Sequence, residues 1–211
     1  RLAELAHLGK RWVRTTYSPD FDAAGNVVGI YTSTIDVHEL TLAQQALKRS
    51  VERDALTDVL SRRALMDWIE VAMARAPLEP LALFFIDIDG FKQINDAYGH
   101  RAGDEALVTI GRALQAAVRA QDAVGRFGGD EFLVLAQLPD AAAASALAAH
   151  LLAAVRGCSS EALAITASIG YALAPNDAAS GFDLVRRADE AMYAAKRRGK
   201  DCAAHYGHTG G

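Results

Sequence analysis

The most constraining feature of the sequence is a continuous apolar run at residues 81–86 that ends in two carboxylates, Asp87 and Asp89. Such a run predicts a strand covered on both faces, and the end of such a strand is where α/β proteins place ligand chemistry. An unpaired Asp87 in this strand would be costly to bury. We therefore expect a sheet between two layers, with a partner for Asp87 at its edge.

A second acidic stretch lies in a predicted hairpin at residues 123–136. Gly128 and Gly129 predict its turn, because glycine reaches positive φ without a Cβ penalty. Asp130 and Glu131 follow directly, although a turn would accept Asn or Ser as easily. On this stretch alone two interpretations stay open: a site for cations and phosphates, or a solvated acidic hairpin.

The two acidic stretches together predict a metal site. A cation shared by Asp87, Asp130 and Glu131 would remove the cost of burying Asp87. Carboxylate and backbone carbonyl oxygens suit magnesium or manganese rather than zinc. The sequence contains no Cys/His cluster with metal-ligand spacing that competes with this interpretation.

Composition excludes several classes of protein. The 211 residues allow one large or two modest domains, and 51% of them are apolar, which is enough for a core. A net charge of −4 argues against a broad nucleic-acid-binding surface. No apolar run approaches the ~20 residues of a membrane helix, and the two cysteines lie in no motif. We expect a cytoplasmic chain without nucleic-acid or membrane contact, and a fragment of a longer protein because it begins at Arg1.

Two strands are predicted near the N-terminus, at residues 11–17 and 27–35, with turns at 18–20 and 22–26. Helical periodicity follows at residues 37–54. Its seam has the alternating steps of three and four that are typical of a coiled coil, at Val37, Leu40, Gln44, Leu47 and Val51. A single amphipathic helix packed on its own domain is the alternative.

The rest of the sequence alternates helical and strand patterns. The helices are expected up to about residue 75 and at 90–100, 102–119, 140–156 and 181–198; the strands are expected at 81–87, in the hairpin at 123–136, and at 164–172 and 202–206. Helices that alternate with hairpin-connected strands indicate an α+β fold with a mixed sheet of ferredoxin-like type.

Several motifs in order give a resemblance to a known family. They are Asp54-Ala55-Leu56-Thr57 with Arg62-Arg63, residues 87–96, Gly99-His100, Gly103-Asp104, residues 126–132, Ser168-Ile169-Gly170, and residues 188–196. Over residues 54–206 the chain resembles the GGDEF domain of diguanylate cyclases, which implies a cyclase-palm sheet flanked by helices. A D-x-x-G-x-V-x-G turn at residues 22–29 and the strand end Ile35-Asp36-Val37 give the first 38 residues a resemblance to the last two strands of a PAS domain. The resemblance implies a PAS-like part at 1–38, a coiled-coil linker at 39–53 and a GGDEF domain at 54–211.

The activity implied by the resemblance is the condensation of two GTP to cyclic di-GMP and pyrophosphate by a homodimer under sensory control. Each active site would hold two Mg²⁺ (or Mn²⁺), bound by Asp87, the Ile88 carbonyl, Asp130 and Glu131. Asp130 and Glu131 occupy the catalytic positions, with Asp130 where the family has its proton acceptor. A GGDEF domain that binds GTP or cyclic di-GMP without catalysis is the alternative.

The resemblance also assigns substrate contacts. Asn95 and Asp104 match the guanine-recognition positions, although Asn95 could instead cap a turn and Asp104 an N-terminal helical turn. His100 matches a substrate position or makes a structural hydrogen bond. The phosphate contacts implied are Phe91, Lys92, Gly129, Lys196 and Lys200. Two departures are Ser61, where Asn is usual, and Lys200, where Arg is common and a point charge replaces a bidentate fork.

A regulatory site is implied by Arg119 and Asp122, which resemble the R-x-x-D product-binding site of diguanylate cyclases. The planar guanidinium of Arg119 suits the acceptor edge of guanine or phosphate, and Asp122 can accept from guanine donors. Cyclic di-GMP bound there is expected to inhibit the enzyme. An ordinary ion pair at a helix end is the alternative.

Overall fold

The computed structural model describes residues 11–43, 52–76 and 78–208, and the chain separates into two compact units, residues 1–50 and 51–211. Within the described residues no helix is long and apolar enough to cross a membrane. The predicted boundaries of the three parts remain predictions.

The first unit is an antiparallel hairpin of β1 (Val13–Phe21) and β2 (Val27–Asp36). Its turn is held by Asp22, whose Oδ1 accepts hydrogen bonds from the amides of Ala24 and Asn26, each at 2.8 Å. The turn predicted at residues 18–20 is wrong, because Pro19 lies within β1, where an edge strand tolerates a missing donor.

Residues 38–43 are helical, in agreement with the start of the predicted linker helix. Most of the proposed seam, including Gln44, Leu47 and Val51, lies outside the described residues. The coiled coil therefore stays a prediction.

The second unit is a mixed sheet covered by helices. Its strands are β3 (Leu81–Ile88), β4 (Ala123–Arg126), β5 (Glu131–Gln137), β6 (Ala167–Ala174) and β7 (Ala203–His205). Its helices are α1 (Arg62–Met73), α2 (Phe91–Tyr98), α3 (His100–Ala117), α4 (Ala141–Arg156) and α5 (Gly181–Arg197), followed by a 3-10 turn at Tyr206–His208. The strand order is β4-β5-β3-β6-β7, and β6 and β7 are the parallel pair. The predicted α+β class with a mixed five-stranded sheet is confirmed.

The central strand β3 is buried along its whole length because both faces of the sheet carry a layer of helices. Phe84 and Ile86 point to one face, into a cluster with residues of α3 and α4. Leu83 and Phe85 point to the other face, into a cluster with residues of α1 and α5. A continuous apolar run, rather than an alternating one, is what such a strand requires.

Helix α5 packs unusually close to β6 at Gly170. A Cβ at this position would overlap the backbone of α5 at Met192 and Ala188. The missing side chain thus lets the helix backbone lie directly on the strand. This contact fixes the part of α5 that carries Lys196 relative to the centre of the sheet.

Candidate active site

The acidic residues predicted to hold a metal meet at one edge of the sheet. Asp87, near the end of β3, is paired in register with Glu131, the first residue of β5. The Ile88 amide donates a hydrogen bond to the Asp130 carbonyl oxygen at 3.2 Å. The antiparallel pairing of β3 with β5 therefore brings Asp87, Ile88, Asp130 and Glu131 together.

Asp87 has a partner that the sequence did not indicate. The ammonium of Lys196, in the last turn of α5, lies 2.7 Å from Asp87 Oδ2. The Asp87 side chain is only 12% exposed, so this ion pair offsets part of the cost of burying the carboxylate. Lys196 was predicted to contact phosphate, and here its charge lies at the acidic edge.

One lysine does not balance the negative charge at this edge. Burial raises the pKa of Asp87; Lys196 opposes this effect, and the charges of Asp130 and Asp89 add to it. Burial also raises the pKa of Glu131, with further contributions from Asp87 and Asp130. The raised pKa values mean that ionised carboxylates here cost free energy unless another cation compensates them.

The acidic edge fits a hard divalent cation by charge and donor type, since carboxylate and carbonyl oxygens are the ligands that such ions prefer. Across residues 11–43, 52–76 and 78–208, however, no three Asp, Glu, His or Cys side chains are already arranged around one point. Side chains such as those of Asp130 and Glu131 would have to turn toward a bound ion.

The turn between β4 and β5 is held by Arg126, which sequence reasoning treated only as a strand residue. Its Nε and a terminal nitrogen donate hydrogen bonds to the Gly129 carbonyl oxygen at 3.1 and 2.6 Å. Its other terminal nitrogen lies 3.2 Å from Asp54 Oδ1. Arg126 thereby connects the turn that carries Asp130 to the start of the second unit.

The carboxylate of Asp54 accepts several hydrogen bonds. Its Oδ1 also accepts hydrogen bonds from the Thr57 amide at 2.9 Å and the Thr57 hydroxyl at 2.7 Å. Burial acts to raise the pKa of Asp54, but the bonds from Thr57 and Arg126 outweigh it and lower the pKa. The Asp-x-x-Thr spacing was the available signal for this anchor.

The prediction that Gly128 and Gly129 form the turn by adopting positive φ is wrong. Neither Gly128 nor Gly129 has a positive φ, and the turn closes through hydrogen bonds from the amides of Phe127 and Gly128 to the Glu131 carbonyl oxygen. A Cβ on Gly128 would overlap Glu131 Oε2. Gly128 therefore leaves space for the flexible end of the Glu131 side chain, and Gly129 lies exposed at the tip.

The predicted guanine contacts lie on the helical hairpin α2–α3. Asn95 packs against α3 where a Cβ on Gly103 would overlap its Oδ1. Asp104 follows Gly103 and is exposed, as is His100. Helix α3 begins at His100 with Gly99 as its N-cap, so the alternative in which Asp104 caps a helix is wrong.

The N-terminus of α2 offers backbone amides beside the acidic edge. Its N-cap, Gly90, has φ +70° and makes no side-chain capping hydrogen bond. The first helical residues are Phe91, half-buried against the core, and Lys92, which is exposed. Uncapped amides at a helix N-terminus are suited to phosphate oxygens.

Asp89, two residues beyond Asp87, has a structural role. It accepts hydrogen bonds from the hydroxyls of Thr166 at 2.8 Å and Ser168 at 2.7 Å, and from the Asp201 amide at 3.0 Å. Lys200 precedes Asp201 in the loop after α5, is exposed and has φ +66°. Asp89 therefore anchors the loop that carries Lys200.

Arg119 and Asp122 lie in the loop between α3 and β4. Two hydrogen bonds join them. The Arg119 amide donates to the side-chain oxygen Asp122 Oδ2 at 2.9 Å, and the Asp122 amide donates to the Arg119 carbonyl oxygen at 3.0 Å. Asp122 Oδ1 is buried and has no hydrogen-bond partner among the described residues. Both residues line a pocket of about 270 Å³ that Trp68 also lines.

A mixed five-stranded sheet with helices on both faces and carboxylates clustered at the end of its central strands defines a cyclase-palm domain. Residues 51–202 match the family model described as diguanylate cyclase, GGDEF domain. The chain therefore belongs to the GGDEF domain family.

Curated relatives and a solved structure agree with this assignment. The diguanylate cyclase TpbB of Pseudomonas aeruginosa is 34% identical over 206 residues, which cover 94% of this chain and 44% of TpbB. The cyclic di-GMP phosphodiesterase PdeR of Escherichia coli is 33% identical over 178 residues, covering 83% of this chain and 27% of PdeR. The coiled coil and GGDEF domain of DgcB from Caulobacter crescentus, in complex with c-di-GMP, superimposes with a TM-score of 0.73 at 27% identity, covering 80% of this chain and 93% of that one. The chain spans less than half the length of these two curated relatives.

Proposed function

We propose that this chain is a diguanylate cyclase that condenses two GTP into cyclic di-GMP. The main observation in support is that Asp87, Asp130 and Glu131 lie at one edge of the sheet, where the charge of a single lysine does not balance their negative charge. In each half-reaction a 3′-oxygen bonds to the α-phosphorus of the other GTP, and the bond from that phosphorus to pyrophosphate breaks. The hydroxyl proton passes to a base, and pyrophosphate leaves.

The residues of the acidic edge would activate the attacking hydroxyl. Asp87, the Ile88 carbonyl, Asp130 and Glu131 would hold two Mg²⁺ (or Mn²⁺), which when bound lower the pKa of the hydroxyl and neutralise phosphate charge. Asp130 lies at the tip of the turn and would accept the hydroxyl proton. The hydrogen bonds of Arg126 to Gly129 keep that tip in place.

Phosphate binding would use groups on two sides of this edge. The amides of Phe91 and Lys92 at the start of α2, and that of Gly129, would donate to phosphate oxygens. Lys196 and Lys200 would add positive charge from the end of α5 and the loop that follows it. A bound triphosphate competes with Asp87 for Lys196, so nucleotide and cation binding are expected to support each other.

Base selection would come from the α2–α3 hairpin. Asp104 can accept from the N1 and N2 donors of guanine, which adenine does not present, and Asn95 can both donate and accept. His100, at the exposed start of α3, would contact the substrate from the same hairpin. This arrangement predicts discrimination between GTP and ATP, because adenine offers no N1 donor to the Asp104 carboxylate.

Assembly and regulation follow from the need for two half-sites. One domain holds one GTP, so the active species would be a homodimer, joined through the helix that begins at residue 38. Residues 1–38 would be the C-terminal part of a PAS-like sensory domain that controls the rate. Arg119 and Asp122 would bind cyclic di-GMP as a feedback inhibitor, since the buried Asp122 Oδ1 lacks a donor among the described residues.

Incubation of the protein with GTP and Mg²⁺, followed by separation of the nucleotides, tests the proposal. The parent is expected to form cyclic di-GMP, and Asp130→Asn is expected to form none while keeping its unfolding temperature. Asp67→Asn, an identical charge change at an exposed position of α1, serves as the matched control and should be as active as the parent. A folded Asp130→Asn protein with parental turnover would contradict the proposal.

The alternative function is a binding module that holds GTP or cyclic di-GMP without turnover. It is supported by the similarity to PdeR, a protein named for cyclic di-GMP phosphodiesterase activity and not for cyclase activity. The same incubation separates the two functions: a binding module retains labelled nucleotide but releases no pyrophosphate.

A further inference from the structure

Trp68 occupies a position that its role in packing does not explain. It lies on α1 and is 48% exposed, whereas its neighbour Ile69 is fully buried. Val71 and Ala72, three and four residues further along, share its face of the helix. A large indole held half in solvent on an ordered helix is a surface suited to stacking against a planar ligand.

Trp68 lines two pockets of the second unit. The first, of about 270 Å³, is the one lined by Arg119 and Asp122. The second, also of about 270 Å³, is lined by the apolar side chains of Val71, Leu81 and Leu135 and also by Arg75, Gln121 and Gln137. Trp68 contributes to the wall of both pockets, so a ligand in either one meets the indole.

The polar groups of the first pocket favour a ligand that carries hydrogen-bond donors along one edge. The buried Asp122 Oδ1 lacks a hydrogen-bond partner among the described residues, and burial of such an acceptor is costly until a donor reaches it. Arg119 supplies a planar cation at the same pocket. A purine with ring and exocyclic N–H groups satisfies this carboxylate, and its flat face requires an apolar surface at right angles to those hydrogen bonds.

We propose that Trp68 is a stacking residue for a purine base of a cyclic purine dinucleotide bound at Arg119 and Asp122. The inference rests on the feedback site of the proposed function and deepens it. Arg119 and Asp122 bind the edge of the base, and the indole covers its face. The second pocket that Trp68 lines gives the second base of the same molecule a surface to contact.

The chain offers a direct optical test, because it contains two tryptophans, Trp12 and Trp68. In a Trp12→Phe background Trp68 is the sole indole, and Trp12 lies in the separate N-terminal hairpin unit. Titration of this protein with cyclic di-GMP is expected to quench the indole fluorescence with the same midpoint as inhibition of cyclase activity. Stacking of a base against an indole produces such quenching.

Affinity variants complete the experiment. Trp68→Leu is expected to weaken cyclic di-GMP binding, measured by calorimetry, by about tenfold or more, whereas Trp68→Phe should stay within a few-fold of the parent. The initial rate with GTP should be unchanged in both. Leu78→Ala removes apolar surface at a site that is 91% exposed and is the control for non-specific effects.

The outcomes separate failure of this inference from failure of the feedback site. Binding of cyclic di-GMP that is lost in Arg119→Ala but unchanged in Trp68→Leu, with no fluorescence change, overturns the role of Trp68 alone. Absence of binding to the parent overturns both. If Trp68→Leu does not fold, the fluorescence titration of the Trp12→Phe protein decides by itself.

Discussion

Two carboxylates at the end of β3, Asp87 and Asp89, lie two residues apart in very different surroundings. Asp89 faces the β6 side and accepts three hydrogen bonds from Thr166, Ser168 and Asp201. Asp87 is paired in register with Glu131 of β5 and Ser168 of β6, its side chain has one charged partner in Lys196, and its pKa is raised because it is buried near other acids.

The difference shows that the acidity of a segment does not by itself mark a functional residue. Hydrogen-bond donors of the protein occupy both carboxylate oxygens of Asp89. Asp89 therefore stabilises the fold and has little capacity left to bind a ligand. Asp87 has only Lys196 as a charged partner at an edge that carries further negative charge, and in proteins such a cost persists where a ligand relieves it. The comparison between these two residues can be tested by substitution.

The largest effect is expected for Asp87→Asn. The change removes charge but little volume, so cyclic di-GMP formation should fall by about two orders of magnitude or more, with little loss of stability because a buried charge is removed. Lys196 is 31% exposed and can regain water. Turnover and thermal unfolding of the same preparation measure both effects, and a large drop in unfolding temperature would place Asp87 in the same class as Asp89.

Asp89→Ala is expected to show the opposite pattern. It leaves the fully buried Ser168 hydroxyl, the Thr166 hydroxyl and the Asp201 amide without their acceptor, which should cost about 1–3 kcal/mol in the free energy of unfolding. Urea denaturation measures this cost. Ser168→Ala removes one donor and should cost less. The comparison fails if Asp89→Ala is as stable as the parent.

Asp54 extends the comparison to pH. Its folded pKa lies below the ordinary value of 3.8, so it stabilises the fold above that pH and loses this contribution as pH falls through the folded pKa. Asp54→Ala should therefore cost about 1–2 kcal/mol at neutral pH and progressively less below pH 3.8. Denaturation of both proteins at several pH values checks this, and a gap that does not depend on pH would contradict it.

The smallest effect is expected for Gly128→Ala. The added methyl group meets the flexible end of Glu131, so stability should change by about 0.5 kcal/mol or less, while turnover should fall a few-fold because the carboxylate is displaced. Gly29→Ala, where a Cβ meets only ordinary contacts in the N-terminal hairpin, is the control and should leave turnover unchanged. Parental turnover in Gly128→Ala would show that Glu131 tolerates the displacement.

Periodicity predicted most of the fold. The run at 81–86 became a buried strand because an apolar pattern is a property of neighbouring residues. The hairpin acids met it at one edge, as the cost of burying an unpaired Asp87 had led us to expect. The pairing of Lys196 with Asp87 and the contact of Arg126 with Asp54, 72 positions away, were missed. Such contacts depend on how whole elements pack, and local patterns carry no information about them.

The roles of Gly128 and Gly129 were also not predictable from the local sequence. Gly128 and Gly129 were expected to adopt positive φ, yet neither does. Gly128 instead leaves space for the carboxylate of Glu131. Pro19 was expected in a turn, yet it lies in β1. Residue type indicates that a position is special, but the neighbouring side chains determine the reason.

The close approach at Gly170 has a consequence for cooperativity. Because the backbones of β6 and α5 touch without side chains between them, neither element can open alone without exposing the apolar surface of the other. Amide hydrogens in both segments should therefore exchange with solvent together, at the slowest rates in the domain. Lys196, near the end of that helix, then keeps its position beside Asp87 through local fluctuations.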